Sequence, residues 1–260
     1  MQLDFQRGSR YDASMKIAVL SDIHGNLEAF QSVLAKLDTR SFDCIISLGD
    51  NIGYGPDPQA VMELLSKHDI RSVLGNHEMV IKDQRFMKWF NPKVQKSISF
   101  TCGQLSEDSI KTILGFPKSM IMENIRFVHG CPDHSPFLYL FQLTESGLKK
   151  KMARMPQAIC FIGHTHELGI TTYDPTQNTV TESPLDPGIT MLDPDKKYII
   201  NAGSVGQPRD PNKDAKVVIV DTGSLALEVL FISYDRHATI DKINRHGLNP
   251  SFAEKLIQPE

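Results

Sequence analysis

Five short clusters along this 260-residue chain combine residue types that hold metal ions: Asp22-x-His24, Gly49-Asp50, Asn76-His77-Glu78, His129 and His164-x-His166. Imidazole is the commonest metal ligand in proteins, and carboxylate or carboxamide oxygens beside it suit borderline divalent cations. In extended chain, residues i and i+2 point to the same side. Asp22 with His24, and His164 with His166, are therefore expected to converge on a small volume. A lone His-x-His carries little weight, because such short matches arise by chance. Recurrence after one apolar run upon another is more than packing requires.

Those apolar runs are the elements that must position the ligands. Residues 16–20, 44–48, 71–74, 125–128 and 158–162 have the length and composition of buried strands. Between them, Leu27, Phe30, Val33, Leu34 and Leu37 form one stripe and predict a helix over 27–37. Further helices are expected at 60–67 and 144–155. Strand, ligand pair and helix in succession make βα units, and open α/β sheets bind ligands just beyond their strand ends. The second half reads as β-rich, with strands in 169–180 and 198–200 and a hairpin joining 216–220 to 225–232. Residues 174–195, rich in Pro and Asp, read as a loop or irregular hairpin. Residues 79–117 are mostly helical, packed over one sheet face or, in the sharper reading, a lid over the site. Residues 1–14 are polar and unpatterned, an extension ahead of a single domain at 15–260.

Composition narrows the function classes. The chain is 40% apolar and 23% charged, with a net charge of −3 and no long basic block, so no nucleic-acid footprint is expected. Lys149-Lys150-Lys151 reads as a solvated helix face. Four scattered cysteines without a Cys-x-x-Cys fit free thiols in a reducing cytoplasm better than a disulfide framework. No apolar stretch approaches the length of a membrane span, and no signal-peptide core opens the chain. A cytoplasmic enzyme is expected.

In order, Asp-x-His, Gly-Asp, Gly-Asn-His-Glu, His and Gly-His-x-His resemble the calcineurin-like metallophosphoesterase superfamily. Gly53-Tyr54-Gly55-Pro56 and the run Asn201 to Arg209 are similar to its compact prokaryotic branch of phosphodiesterases and diadenosine-tetraphosphatase-like phosphatases. The resemblance spans residue 16 to about residue 235. It implies a four-layer α/β/β/α sandwich built on two mixed β-sheets. It also implies two divalent transition-metal ions: Asp22, His24 and His166 on one, Asn76, His129 and His164 on the other, with Asp50 bridging. Two such cations bring four positive charges against two carboxylates, which leaves the centre attractive to hydroxide and phosphate. The mixed N/O ligand set favours Mn or Fe, with Zn, Co and Ni compatible.

The activity the resemblance implies is hydrolysis of a phosphodiester or phosphomonoester by in-line attack of a metal-bridging hydroxide. His77 would assist the leaving oxygen, and Arg209 and Tyr54 would contact the substrate, a small phosphate ester with nucleotides among the candidates. Glu78 is a candidate to orient His77, and Asn51 a second candidate for substrate contact. Many relatives hold that histidine with an acid in Gly-Asp-x-x-Asp; here the position is Gly53. Rival readings are a phosphoprotein phosphatase, a dinucleoside-polyphosphate hydrolase and, in another class, a non-enzymatic interaction scaffold on the same fold. A surface Arg209 paired with Asp210 or Asp214 is the bland alternative to phosphate binding. His134, in a Pro-rich loop, is a candidate for the pocket mouth.

Overall fold

The computed structural model describes residues 14–132 and 135–257. The expected N-terminal extension, Ser14 apart, and His134 lie outside the described residues. The first half runs β1 (Lys16–Leu20), α1 (Leu27–Leu37), β2 (Cys44–Ser47), α2 (Pro58–Lys67), β3 (Arg71–Ser72), α3 (Asn76–Lys82), α4 (Pro92–Gln104) and α5 (Glu107–Gly115). Then come β4 (Ser119–Met122), β5 (Ile125–Val128), α6 (Glu145–Arg154), β6 (Ile159–Ile162), β7 (Leu168–Asp174), β8 (Thr179–Pro184) and β9 (Gly188–Met191). The chain continues with β10 (Lys197–Ala202), β11 (Ala215–Asp221), β12 (Ala226–Ile232), α7 (Arg236–Arg245) and α8 (Pro250–Glu254).

Among the described residues, twelve strands form two six-stranded mixed sheets, ordered β3-β2-β1-β11-β12-β9 and β4-β5-β6-β10-β7-β8. Each contains a parallel trio, β3, β2 and β1 at one side of the first sheet and β5, β6 and β10 in the middle of the second. The alternation within β1 explains its unbroken apolar sequence. Ile17 and Val19 face the second sheet, meeting Phe127, Phe161 and Ile200, while Ala18 and Leu20 face Phe30, Val33 and Leu37 of α1. A strand buried on both faces has no polar side to show. The Phe127 and Phe161 rings stack in parallel between the sheets, with centroids 5.7 Å apart. On the far side of the second sheet, Cys160, Ile162 and Ile199 pack against Leu148 and Met152 of α6. These are the four layers α/β/β/α.

Residues 79–117 fold as the end of α3, a 3-10 turn, α4 and α5. Val80, Val94 and Ile98 share a core with Ile243, Phe252 and Leu256 of the C-terminal helices. The segment 174–195 departs from expectation: it contains β8 and β9, the edge strands of different sheets. Nearly every residue of β8 and β9 is exposed, so neither has the burial alternation that marks a strand in sequence. Edge strand β4, only partly buried, escaped for the same reason.

Candidate metal centre

The three parallel strands of each sheet end at the same rim, and their loops are laced together by backbone hydrogen bonds. Asp22 N donates to Gly49 O (3.1 Å), His24 N to Asp50 O (2.9 Å), Gly163 N to His129 O (2.8 Å) and Gly206 N to Asp22 O (3.0 Å). Asp22, His24, Asp50, Asn76, His77, His129, His164 and His166 are thereby gathered, all buried. Three overlapping groups have ligand atoms within 4.8 Å of one another: Asp22, His24 and His166; His24, Asp50 and His77; Asp50, His129 and His164. Asp50 joins two of them.

Extended-strand geometry is not what aims these side chains. Asp22, His24, Asp50, His164 and His166 all have φ between 50° and 69°. Non-glycine residues rarely adopt this left-handed conformation, and where they do the strain is concentrated at functional sites. The two imidazoles of His164-x-His166 accordingly part company, His166 joining Asp22 and His24, His164 joining Asp50 and His129. Gly163 lets them turn: a Cβ there would lie 1.9 Å from Ser21 Oγ and 2.5 Å from Asp22 Oδ2.

Three imidazoles are held in one tautomer. His24 Nδ1 lies 2.9 Å from Ile52 O, His129 Nδ1 2.9 Å from Leu48 O, and His166 Nδ1 2.7 Å from Gln207 O. A carbonyl only accepts, so each Nδ1 carries a proton and each Nε2 turns inward, where a neutral ring offers a lone pair. His24 and His166 then set two lone pairs 3.1 Å apart, with Asp22 Oδ1 3.7 and 3.4 Å away and without a hydrogen-bond partner. His129 Nε2 likewise faces Asn76 Oδ1 at 2.9 Å and Asp50 Oδ2 at 3.3 Å. His164 Nε2 is buried without a partner. Acceptors facing acceptors in a dry site repel one another unless a cation lies among them. The donor set fits divalent metal ions, and the carbonyl contacts are the outer shell such ligands use.

The titration of these groups follows from the same crowding. Burial raises the cost of charge on Asp22 and Asp50, yet the surrounding imidazoles hold both carboxyls well below the usual range. Burial alone would depress His129, but the Asp50 charge and hydrogen bond push it up to about 9, so that without a cation a proton on Nε2 stands in its place against Asp50. Burial dominates at His164, lowered to about 4, and at His166, also lowered.

His77 stands apart. It opens α3 beside Asn76, so the pair is helical rather than extended, and both face the site. Its N–H donates to Asp50 Oδ1 (2.9 Å) and its Nε2 lies 3.9 Å from Asp50 Oδ2. Its Nδ1 is buried without a partner and faces Gly53, where a Cβ would approach to 2.1 Å. No acid could stand at residue 53 without displacing this ring. The ring is held instead by His24, Tyr54 and Phe90, with centroids 4.8, 4.7 and 5.1 Å away. Burial lowers its pKa to about 3, against the pull of Asp50.

Glu78 does not orient His77. Its carboxylate accepts from the backbone N–H of Asp50 (2.9 Å), Asn51 (2.7 Å) and Gly75 (3.1 Å), fastening the ends of β2 and β3 together. Burial first, then Asp50, raises it to about 7. Asn51 is spent inside the fold on Ser47, Ser72 and Glu78, so it is no substrate contact. Tyr54, at φ 54°, sets its ring against His24, with centroids 4.3 Å apart and the planes tilted by 48°. Arg209 N donates to His166 O (3.1 Å) and its Nη1 to Thr165 O (3.3 Å), while its Nε is buried without a partner. Asp210 lies beside Lys216 and Asp214 pairs with Arg236, so neither holds Arg209 in an ion pair. Sequence reasoning missed Tyr139, whose ring stacks on His164 at 3.9 Å and 18°, and Ser21, whose Oγ donates to Asp22 Oδ2 (2.5 Å). Ser21 could have been found as the neighbour of a ligand; Tyr139 left no signal.

The model of the calcineurin-like phosphoesterase superfamily domain matches residues 15–224, which takes in every one of these ligands. The chain belongs to that superfamily. An uncharacterised protein of Methanocaldococcus jannaschii is 32% identical over 247 residues, 93% of this chain and 97% of that one. The crystal structure of a metallophosphoesterase from Sphaerobacter thermophilus superposes with a TM-score of 0.80 at 28% identity, covering 95% of this chain and all of the other. A hypothetical protein from Pyrococcus horikoshii shares the fold, with a TM-score of 0.74 at 18% identity over 94% of this chain and 98% of its own. The two six-stranded mixed sheets with flanking helices are the superfamily's fold, and its clustered histidines and aspartates are placed to bind divalent metal ions. Among the described residues, no helix is long and apolar enough to cross a membrane.

Proposed function

We propose that this protein is a binuclear metal-dependent phosphoesterase that hydrolyses a small phosphodiester or phosphomonoester. The observation that carries the reading is the set of buried Nε2 lone pairs, fixed by backbone carbonyls and turned toward one another and toward Asp22 and Asp50. Asp22, His24 and His166 would hold one ion and Asn76, His129 and His164 the other, with Asp50 shared by both groups. Two divalent ions bound there supply positive charge for phosphate oxygens and lower the pKa of bound water toward neutrality. Mn or Fe is the favoured pair on ligand chemistry.

The chain's own residues divide the remaining work. Arg209 presents a planar fork of donors, matched to phosphate oxygens, beside His166. Tyr54 closes one side of the cage over His24. His77, whose ring no carbonyl fixes in one tautomer, handles the proton at the leaving oxygen. The rim aromatics Tyr54, Tyr139 and Phe90 exclude water, which strengthens every charge interaction within. The test is metal analysis together with hydrolysis of bis(p-nitrophenyl) phosphate and p-nitrophenyl phosphate, before and after chelation and after Mn reconstitution. Activity that survives complete metal removal would sink the proposal; a metal-free, inactive protein after reconstitution would favour a scaffold.

A further inference from the structure

Beside the metal cage, on the outer face of the second sheet, lies an open cleft of about 340 Å³. Its floor is formed by Ile162 and Ile199 beside Gly169 and Thr171, and it reaches the cage through Thr165, the residue between His164 and His166. Thr165 is itself tied down: its hydroxyl accepts from Asn201 Nδ2 (2.7 Å) and its carbonyl from Arg209. Whatever occupies the cleft therefore sits next to the groups expected to hold a phosphate.

Phe141 lines the cleft and ends a stack of rings that starts in the cage. The Tyr139 ring lies on His164 at 3.9 Å and 18°, and the Phe141 ring lies on Tyr139 at 4.9 Å and 18°. The three rings form a near-parallel ladder from the cage outward, ending at Phe141, which is 74% exposed. An exposed phenylalanine at the end of a stack offers a flat face to another ring, and such pairs add stabilisation beyond area burial. The cleft is also bordered by Glu167 and Glu182, both exposed. Carboxylates accept hydrogen bonds and repel anions. The volume, at the small end of ligand pockets, takes one ring system and no peptide.

We infer that this cleft is the subsite for the non-reacting part of the ester, and that it takes a planar aromatic group bearing N–H donors and no further negative charge. The inference rests on the phosphoesterase reading for the position of the phosphate. Binding of the ring is separable from hydrolysis, because a probe without phosphate cannot be turned over. The experiment is calorimetric titration of adenosine into the metal-reconstituted full chain, with Phe141→Ala and Phe141→Trp alongside. Saturable binding is expected, weakened about fivefold in Phe141→Ala and kept within about twofold in Phe141→Trp, as loss and retention of one stacking face require. Benzoate, planar but anionic, is expected not to compete. Absence of saturable binding, equal affinity in Phe141→Ala, or effective competition by benzoate would overturn the assignment. Adenosine binding in a protein that hydrolyses no ester would leave the cleft standing and remove the enzyme.

Discussion

At the scale of single residues, the centre is a dry cluster of carboxylates and imidazoles whose inward-facing acceptors suit a cation. Asp50 lies within reach of His24, His77 and His129, so its charge serves both halves of the cage. Asp50→Asn is expected to lower turnover by about a thousandfold or more, on the order of 4 kcal/mol in the barrier, and to release metal measurable by mass spectrometry. His77→Ala should lower kcat while metal content stays at the wild-type level. Metal loss in that variant would make His77 a ligand and its proposed role wrong. Gly53→Ala tests the same ring from outside, since its Cβ would lie 2.1 Å from His77 Nδ1 at a φ of +84°. We expect kcat to fall with a stability cost of about 1–3 kcal/mol, measured by steady-state kinetics and urea unfolding. Unchanged kcat would mean that the position of the ring does not matter.

At the scale of elements, α1 shows how a helix serves a site it does not enter. Asn26 caps it by accepting from Ala29 N (3.1 Å), and the same side chain donates to Gly206 O (2.8 Å) in the loop that carries Arg209. Phe30 on the buried face packs α1 against the first sheet and is fully buried. Phe30→Ala should cost about 3–5 kcal/mol, read from the shift in the denaturant midpoint. A cost below about 1 kcal/mol would show that the layer repacks freely around the cavity. The sequence stripe that predicted α1 is this same packing face, which is why its limits were legible. Strands β8 and β9 were not legible, because exposed edges are chosen by their hydrogen-bonding neighbour rather than by burial.

At the scale of the whole molecule, Lys216 of β11 ties the loop after Arg209 to the first sheet. Its side chain is fully buried, its Nζ donates to Asn212 O and to Asp214 O (2.9 Å), and it lies 4.5 Å from the centre of the Phe231 ring. Burial lowers its pKa to about 8, with Asp210 and Asp214 opposing. The folded chain thus binds fewer protons than the unfolded chain between pH 8 and the ordinary lysine value of 10.5. Stability from this group rises with pH through that window and is lost as pH falls through the folded pKa. Relative to Lys216→Met, the wild type should gain roughly 1–3 kcal/mol between pH 7.5 and 10.5. Urea unfolding of both proteins at the two pH values checks the sign, and an unchanged difference would refute it.

The sequence by itself determined the order of strands and ligands. Buried parallel strands must be apolar, and metal ligands must be His, Asp or Asn, so both are written in residue type. Residue spacing did not say how those ligands divide between the two halves of the cage; the family resemblance implied it, and the tertiary structure supplies its physical cause. Left-handed backbone at Asp22, His24, Asp50, His164 and His166, which no local pattern announces, is held there by hydrogen bonds between loops distant in sequence. Glu78 turning to the backbone, Gly53 making room for His77 and Tyr139 covering His164 have the same origin. Each depends on which neighbour the fold brings alongside, and neighbours are a property of the closed sandwich rather than of the chain.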